Sequence, residues 1–104
     1  MKRIGFTMQL HAGYEEEYRR RHDALWPELA ELLHQAGIGN YSIFLDPGTL
    51  RLFAYMEVAD PYDPNWLPQQ PVMQRWWAMM GDIMDTNPDT SPVSIPLTEV
   101  FHLD

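Results

Sequence analysis

The chain has no cysteine among its 104 residues. That absence excludes disulfides, thiol nucleophiles and cysteine-ligated metal sites. Positive charge is scarce as well, because seven Lys and Arg stand against 15 Asp and Glu, for a formal net charge of −8. Such an acidic chain is poorly suited to bind nucleic acid or an anionic membrane surface. We therefore expect neither nucleic acid nor a membrane as a partner.

Long hydrophobic runs are missing too. No stretch approaches the length that crosses a membrane, and Met1–Gly5 leads into a strand pattern without the apolar core of a signal peptide. We therefore expect a cytoplasmic protein. A chain of this length predicts one domain, spanning residues 1–104.

Several catalytic signatures are absent. The fragment Gly37-Ile38-Gly39 lacks the third glycine of a dinucleotide fingerprint, and no Gly-x-Ser-x-Gly motif occurs. No two of the four histidines have His-x-x-x-His or His-x-His spacing, so we predict no metal site. Asp23, Asp46, Asp89 and Glu99 are scattered acids that the sequence does not pair.

The hydrophobic pattern gives a coarse order of elements. Apolar residues alternate with polar ones from Ile4 to Leu10, which predicts a half-buried strand, and four prolines between residues 60 and 71 predict a loop. The predicted elements are a strand over 3–10, a helix over 13–36 bent near Pro27, strands over 40–46 and 50–58, a helix over 70–84 and a strand over 94–103. This order predicts an α+β, ferredoxin-like split βαβ fold, with two helices on one face of a four-stranded antiparallel sheet.

The other face of that sheet would carry aromatic and polar residues together, among them Phe53 and Tyr55. Because no helix remains to cover this face, either water or a second copy of the chain does so. We favour a homodimer of the dimeric α+β barrel type.

The first helix carries the first candidate for chemistry. Helical spacing places Tyr18 and His22 on one inward stripe, close to the disturbance that Pro27 creates. Histidine titrates near neutrality, so His22 is either a core histidine with a satisfied hydrogen bond or a proton-transfer group. Tyr18 either packs in the core or orients the imidazole or a bound hydroxyl. The adjoining charges, Glu15–Glu17 and Arg19–Arg21, are typical of a solvated, ion-paired helix face.

The pair Trp76-Trp77 is the second candidate. Adjacent helical residues point about 100° apart, so one indole can pack in the core while its neighbour lines the edge of a pocket. Two core residues are the ordinary interpretation. The alternative is a sugar-binding platform, since an indole face packs well against the C–H surface of a pyranose.

Taken together, several separated motifs resemble the L-rhamnose mutarotase family over essentially the whole chain. The matching segments are 18–22 with 25–29, 40–46, 74–77 with Met80, 87–89 with 91–93, and 99–101. The resemblance implies a cytoplasmic homodimer of ferredoxin-like subunits that interconverts the α and β anomers of L-rhamnose without metal or cofactor. It also implies that His22 is the proton donor and that Tyr18, Tyr41, Trp76 and Trp77 contact the substrate.

Two other functions stay open on the sequence. A small monooxygenase on a dimeric ferredoxin-like scaffold would also place histidine and tryptophan in a pocket between sheet and helices. A non-catalytic sugar-binding module would bind rhamnose without accelerating anomer exchange.

Overall fold

The computed structural model of the chain describes residues 1–104. Its elements, in chain order, are strand β1 (Lys2–Gln9), helices α1 (Glu15–Asp23) and α2 (Pro27–Gln35), strands β2 (Ile38–Asp46) and β3 (Arg51–Val58), helix α3 (Pro71–Met80) and strand β4 (Ile95–Pro96). The strands form one sheet in the order β2-β3-β1-β4, and every neighbouring pair is antiparallel. This arrangement is consistent with the predicted α+β, ferredoxin-like fold.

The core lies between the helices and one face of the sheet. Met8 of β1 pairs with Leu52 of β3, and both side chains are buried beneath the helices. Leu10 is buried in the same core and Phe6 packs against it, on the face that the sequence predicted. Thr7 on the opposite face is buried as well, so burial along β1 does not alternate strictly. The buried cluster joins both central strands and all three helices: Met8, Leu10, Tyr18, Leu29, Leu52, Ala54, Met73, Trp76, Met80, Ile83 and Met84.

The first predicted helix is in fact two helices. We expected one helix over 13–36 with a bend, and two helices in all; instead α1 ends at Asp23, α2 begins at Pro27, and the chain has three α-helices. The residue before a proline is disfavoured in helical angles, and Trp26 is extended, with φ −62° and ψ 129°. Pro27 thus starts a new helix, where its missing N–H needs no partner. None of the helices is long and apolar enough to cross a membrane.

A bulge in β2 decides which of its side chains face the helices. From Gly39 to Ser42 the strand advances three residues while β3 advances two, so one extra residue is accommodated. Asn40 in this bulge has φ 44°, in the left-handed region that asparagine tolerates better than most residues. Ile38 before the bulge and Ile43 after it both face the core, although an uninterrupted strand would put them on opposite faces.

The second half of the chain has less regular structure than predicted. Helix α3 ends at Met80 rather than at Met84, because Met84 instead pairs with Leu10 just beyond β1. The proline-rich residues 60–70 form the expected loop, with one short 3₁₀ turn at Leu67–Gln69.

The last strand is also shorter than the predicted 94–103. It consists of Ile95–Pro96, after which the Leu97 amide still donates to the Gly5 carbonyl oxygen at 2.9 Å. Proline has no N–H with which to extend a ladder. An ion pair of 2.6 Å between Arg3 and Glu99 holds the beginning of the tail beside β1.

Candidate active site

A large cavity of about 1050 Å³ lies between the sheet and the helices and opens to solvent. This volume slightly exceeds the roughly 300–1,000 Å³ that is usual for small-molecule sites. Most of its wall is apolar. All five residues singled out in the sequence line this cavity: Tyr18, His22, Tyr41, Trp76 and Trp77.

Helix α1 supplies Tyr18 and His22 from successive turns. Their rings stack, with centroids 4.2 Å apart and an angle of 25° between planes. His22 Nδ1 lies 3.0 Å from the Tyr18 carbonyl oxygen. A carbonyl only accepts hydrogen bonds, so Nδ1 carries a proton and donates it. In the neutral ring the lone pair is therefore on Nε2.

The surroundings of His22 favour the neutral imidazole. Burial of the ring lowers its pKa below the ordinary 6.5, and the hydrogen bond to the Tyr18 carbonyl and the charge of Asp23 only partly offset this. Asp23 also lines the cavity. At neutral pH, His22 is consequently a proton acceptor at Nε2 before it is a donor.

Helix α3 brings two tryptophans to the same cavity. The Trp76 ring meets the His22 ring edge to face at a centroid distance of 5.4 Å, and it meets the Trp26 ring in the same manner at 5.2 Å. Trp76 belongs to the buried core, whereas Trp77 is only half-buried. The two adjacent indoles thus differ in burial, as expected for side chains that point about 100° apart on a helix. Both line the cavity.

Strand β2 supplies Tyr41, which the bulge turns towards the helices. Its ring packs edge to face against Phe6 at 6.4 Å. The residue as a whole is 37% exposed, yet the protein atoms around its phenol desolvate it and raise the pKa of Tyr41 to about 12. Burial, and to a smaller extent the phenol of Tyr41, also raise the pKa of Tyr18. Both phenols are therefore neutral hydrogen-bonding groups at physiological pH.

Three polar atoms in this aromatic cluster have no partner within the protein: the Tyr18 hydroxyl, the Trp76 indole nitrogen and His22 Nε2. Tyr18 and Trp76 are each more than nine-tenths buried. No side-chain nitrogen or oxygen of a buried or half-buried residue is both sealed from solvent and without a hydrogen bond. All three residues line the cavity, so these atoms reach its interior and are available to a polar ligand.

Other residues of the wall were missed in the sequence. Thr86, Asn87, Thr90 and Ser91 line the cavity from the loop that precedes β4. The Asn87 side-chain amide donates to Ser91 Oγ at 3.1 Å and to the Pro92 carbonyl oxygen at 3.3 Å, which holds the loop in shape. The match of 87–89 and 91–93 to the family motifs was the one signal that could have pointed there.

The remaining candidate acids lie outside the cavity wall. Asp46 accepts from Thr49, Asp89 accepts from Ser91, and Glu99 pairs with Arg3; none of the three acids lines the cavity. His11, His34 and His102 lie outside it as well. No group of three or more His, Asp or Glu side chains is placed to hold a metal ion.

The fold and the site together define a small α+β protein with a titratable imidazole in a cavity that is lined by aromatic rings and carries a few polar atoms. A site of this class suits acid–base chemistry on a neutral, polar small molecule. The chain belongs to the L-rhamnose mutarotase family, whose sequence model matches residues 3–103. The resemblance found in the sequence is thereby confirmed.

Individual relatives agree over their full lengths. The L-rhamnose mutarotase of Jannaschia sp. (strain CCS1) is 52% identical over 103 residues, covering 99% of each chain. That of Opitutus terrae is 52% identical over 106 residues and covers all of both chains. The crystal structure of L-rhamnose mutarotase FA22100 from Formosa agariphila superposes with a TM-score of 0.93 at 45% identity, again covering all of both chains.

Proposed function

We propose that this chain is an isomerase that interconverts the α and β anomers of L-rhamnose, with His22 as the group that moves the proton. The observation that carries the proposal is the free Nε2 of a neutral imidazole, wedged between Tyr18 and Trp76 in the cavity. Membership of the mutarotase family supplies the substrate.

The proposed reaction begins with His22 as a base. Nε2 takes the proton of the anomeric hydroxyl; as the C1–O1 bond becomes a carbonyl, the bond from C1 to the ring oxygen breaks. The imidazolium returns the same proton to that ring oxygen, so His22 ends the step neutral. Both oxygens are attached to C1, and therefore one nitrogen can serve both. Rotation about C1–C2 and the reverse steps close the other anomer.

The rate gain required of the protein is modest. One positioned acid–base group contributes roughly 10²–10⁴ in rate, and anomer exchange already proceeds in water. The steps move one proton and leave no change of oxidation state, so they call for no redox partner. A neutral sugar is also compatible with a net charge of −8.

We assign the other predicted residues to binding. The unpartnered hydroxyl of Tyr18 and the phenol of Tyr41 would hydrogen-bond sugar hydroxyls. Trp76 or Trp77 would pack on the C–H surface of the ring. Polar groups of the 86–91 loop face the same cavity and could take up further hydroxyls.

We also propose that the chain works as a homodimer through the outer face of the sheet. Phe44, Phe53, Thr7 and Ile95 are register partners in one row across all four strands. Phe44 is 68% exposed, and Phe53 and Ile95 are exposed as well. Three of these four side chains are apolar and exposed, on a sheet face without covering helices, and this favours burial against a second copy. A cytoplasmic location stays a prediction of the sequence.

The direct test of the activity is saturation transfer between the α and β NMR signals of L-rhamnose, with fucose and glucose as control sugars. We expect added protein to accelerate exchange of rhamnose more than that of either control. Saturable rhamnose binding without faster exchange would contradict the proposal and identify a binding module. Oxygen-dependent turnover would instead identify a monooxygenase.

A further inference from the structure

Arg21 differs from its neighbours on α1. The sequence predicted that Arg19–Arg21 form a solvated, ion-paired face, and Arg20 fits this description with a side chain that is 69% exposed. The side chain of Arg21, in contrast, is only 15% exposed. It points away from solvent and towards the end of α3.

The Arg21 guanidinium joins two helices. Nη1 donates to the Met79 carbonyl oxygen and to Asp82 Oδ1, each at 2.9 Å, and Nη2 donates to Asp82 Oδ2 at 3.3 Å. Nε donates to Glu17 Oε2 at 2.6 Å, one turn earlier on α1. The Met79 carbonyl belongs to the last turn of α3, where carbonyls lack helical partners and a cation is favourable.

Helix α1 has few other restraints on its position. Its backbone makes no extensive close approach to another helix or strand, so side chains fix where it lies. On its inner side, Tyr18 belongs to the buried core and stacks on the His22 ring, which in turn contacts Trp76 of α3. On its outer side, Arg21 hydrogen-bonds to the carboxyl-terminal end of α3 and to Asp82 just beyond it.

We propose that Arg21 is a positioning residue, which fixes the His22 imidazole on α1 at its working distance from Trp76 on α3. Adjacent helical residues point about 100° apart, so Arg21 can be anchored outside the cavity while His22 faces into it. The inference rests on the proposed role of His22 in anomer exchange. Rates of this kind are sensitive to placement, since a shift of about 1 Å can cost on the order of 10²-fold.

The test compares Arg21→Gln with Arg20→Gln. Both changes remove one positive charge from α1 and one partner of Glu17, but only the first releases α3. For Arg21→Gln we expect kcat for rhamnose exchange to fall about tenfold or more while the KM changes far less. For Arg20→Gln we expect kcat within about twofold of the parent value.

A second measurement separates positioning from simple stability. The NMR signal of the His22 ring Cε1–H senses the faces and edges of Tyr18 and Trp76. We expect it to shift in folded Arg21→Gln and to stay in place in Arg20→Gln. Arg21→Lys keeps the positive charge but loses the planar guanidinium that bonds Met79 and Asp82 together. Its kcat should therefore be close to that of Arg21→Gln.

Asp82→Asn keeps the proposal testable if Arg21→Gln does not fold. Asp82 is exposed, and its amide analogue should lower kcat and shift the His22 signal to a smaller degree. The proposal would be overturned if the His22 signal stayed in place in every folded variant of Arg21 and Asp82. It would also be overturned if Arg20→Gln lost as much kcat as Arg21→Gln. Because the signal does not depend on catalysis, failure of wild-type exchange would refute the proposed function separately.

Discussion

Deleting the hydroxyl of Tyr18 should separate function from stability. In Tyr18→Phe the buried ring keeps its stacking on His22 at 4.2 Å. The deleted oxygen has no hydrogen-bond partner in the protein, so no internal bond is lost. The change also removes the cost of partly desolvating a hydroxyl. We therefore expect the free energy of unfolding to stay the same or to rise by about 0–1 kcal/mol.

Activity should respond in the opposite direction. A hydrogen bond from this hydroxyl to the sugar is worth about 0.5–1.5 kcal/mol net, which corresponds to roughly 2- to 13-fold in kcat/KM. The unfolding free energy is measured by urea titration and the exchange rate by saturation transfer on L-rhamnose.

Tyr14→Phe provides the matched control for this prediction. It deletes the same group one turn earlier, at an exposed position outside the cavity wall. It should change neither quantity. Destabilisation of Tyr18→Phe by more than about 1 kcal/mol with an unchanged exchange rate would refute the reasoning, because the hydroxyl would then serve the fold.

Three further predictions follow from the same structure. Since burial lowers the pKa of His22, the exchange rate above the protein-free background should be level near neutrality and fall as pH drops through that lowered pKa; a rise on acidification would contradict a neutral working imidazole. Leu29→Ala, at a core position 1% exposed, should lower the unfolding free energy by about 2–5 kcal/mol in urea titrations, and a loss below 1 kcal/mol would contradict the core assignment. Phe44→Glu should convert the proposed dimer into monomers in analytical ultracentrifugation, because two copies would bury like charges; an unchanged mass would remove the outer face from the interface.

Much of the site could be predicted because it depends on local periodicity. Tyr18 and His22 lie one turn apart on one helix, and Trp76 and Trp77 are neighbours on another, so helical spacing alone groups each pair. Bringing the two pairs together depends on tertiary packing, and only the family resemblance indicated it. The orientation of Tyr41 depends on the bulge at Asn40. The only sign of this bulge in the sequence is a change in the alternation of apolar residues along β2.

The errors have local physical causes as well. Hydrophobic spacing continues past Pro27 and hid the break between α1 and α2, although proline and its preceding residue both favoured a restart. Met84 fits a helical stripe but is buried by pairing with Leu10. Arg21 shares its charge pattern with exposed neighbours, and its anchor on α3 lies 58 residues along the chain. No local pattern distinguishes it from Arg20.

The central claim, that Nε2 of His22 transfers the proton, is tested most directly by saturation transfer between the anomers of L-rhamnose with His22→Asn. The asparagine amide nitrogen can still donate to the Tyr18 carbonyl in place of Nδ1. Asparagine has no counterpart of Nε2, however, and so no nitrogen that can accept and release a proton near neutral pH. The account predicts that protein-dependent exchange falls by roughly 10²–10⁴-fold while the protein stays folded. Exchange at the parent rate in the folded variant would contradict it.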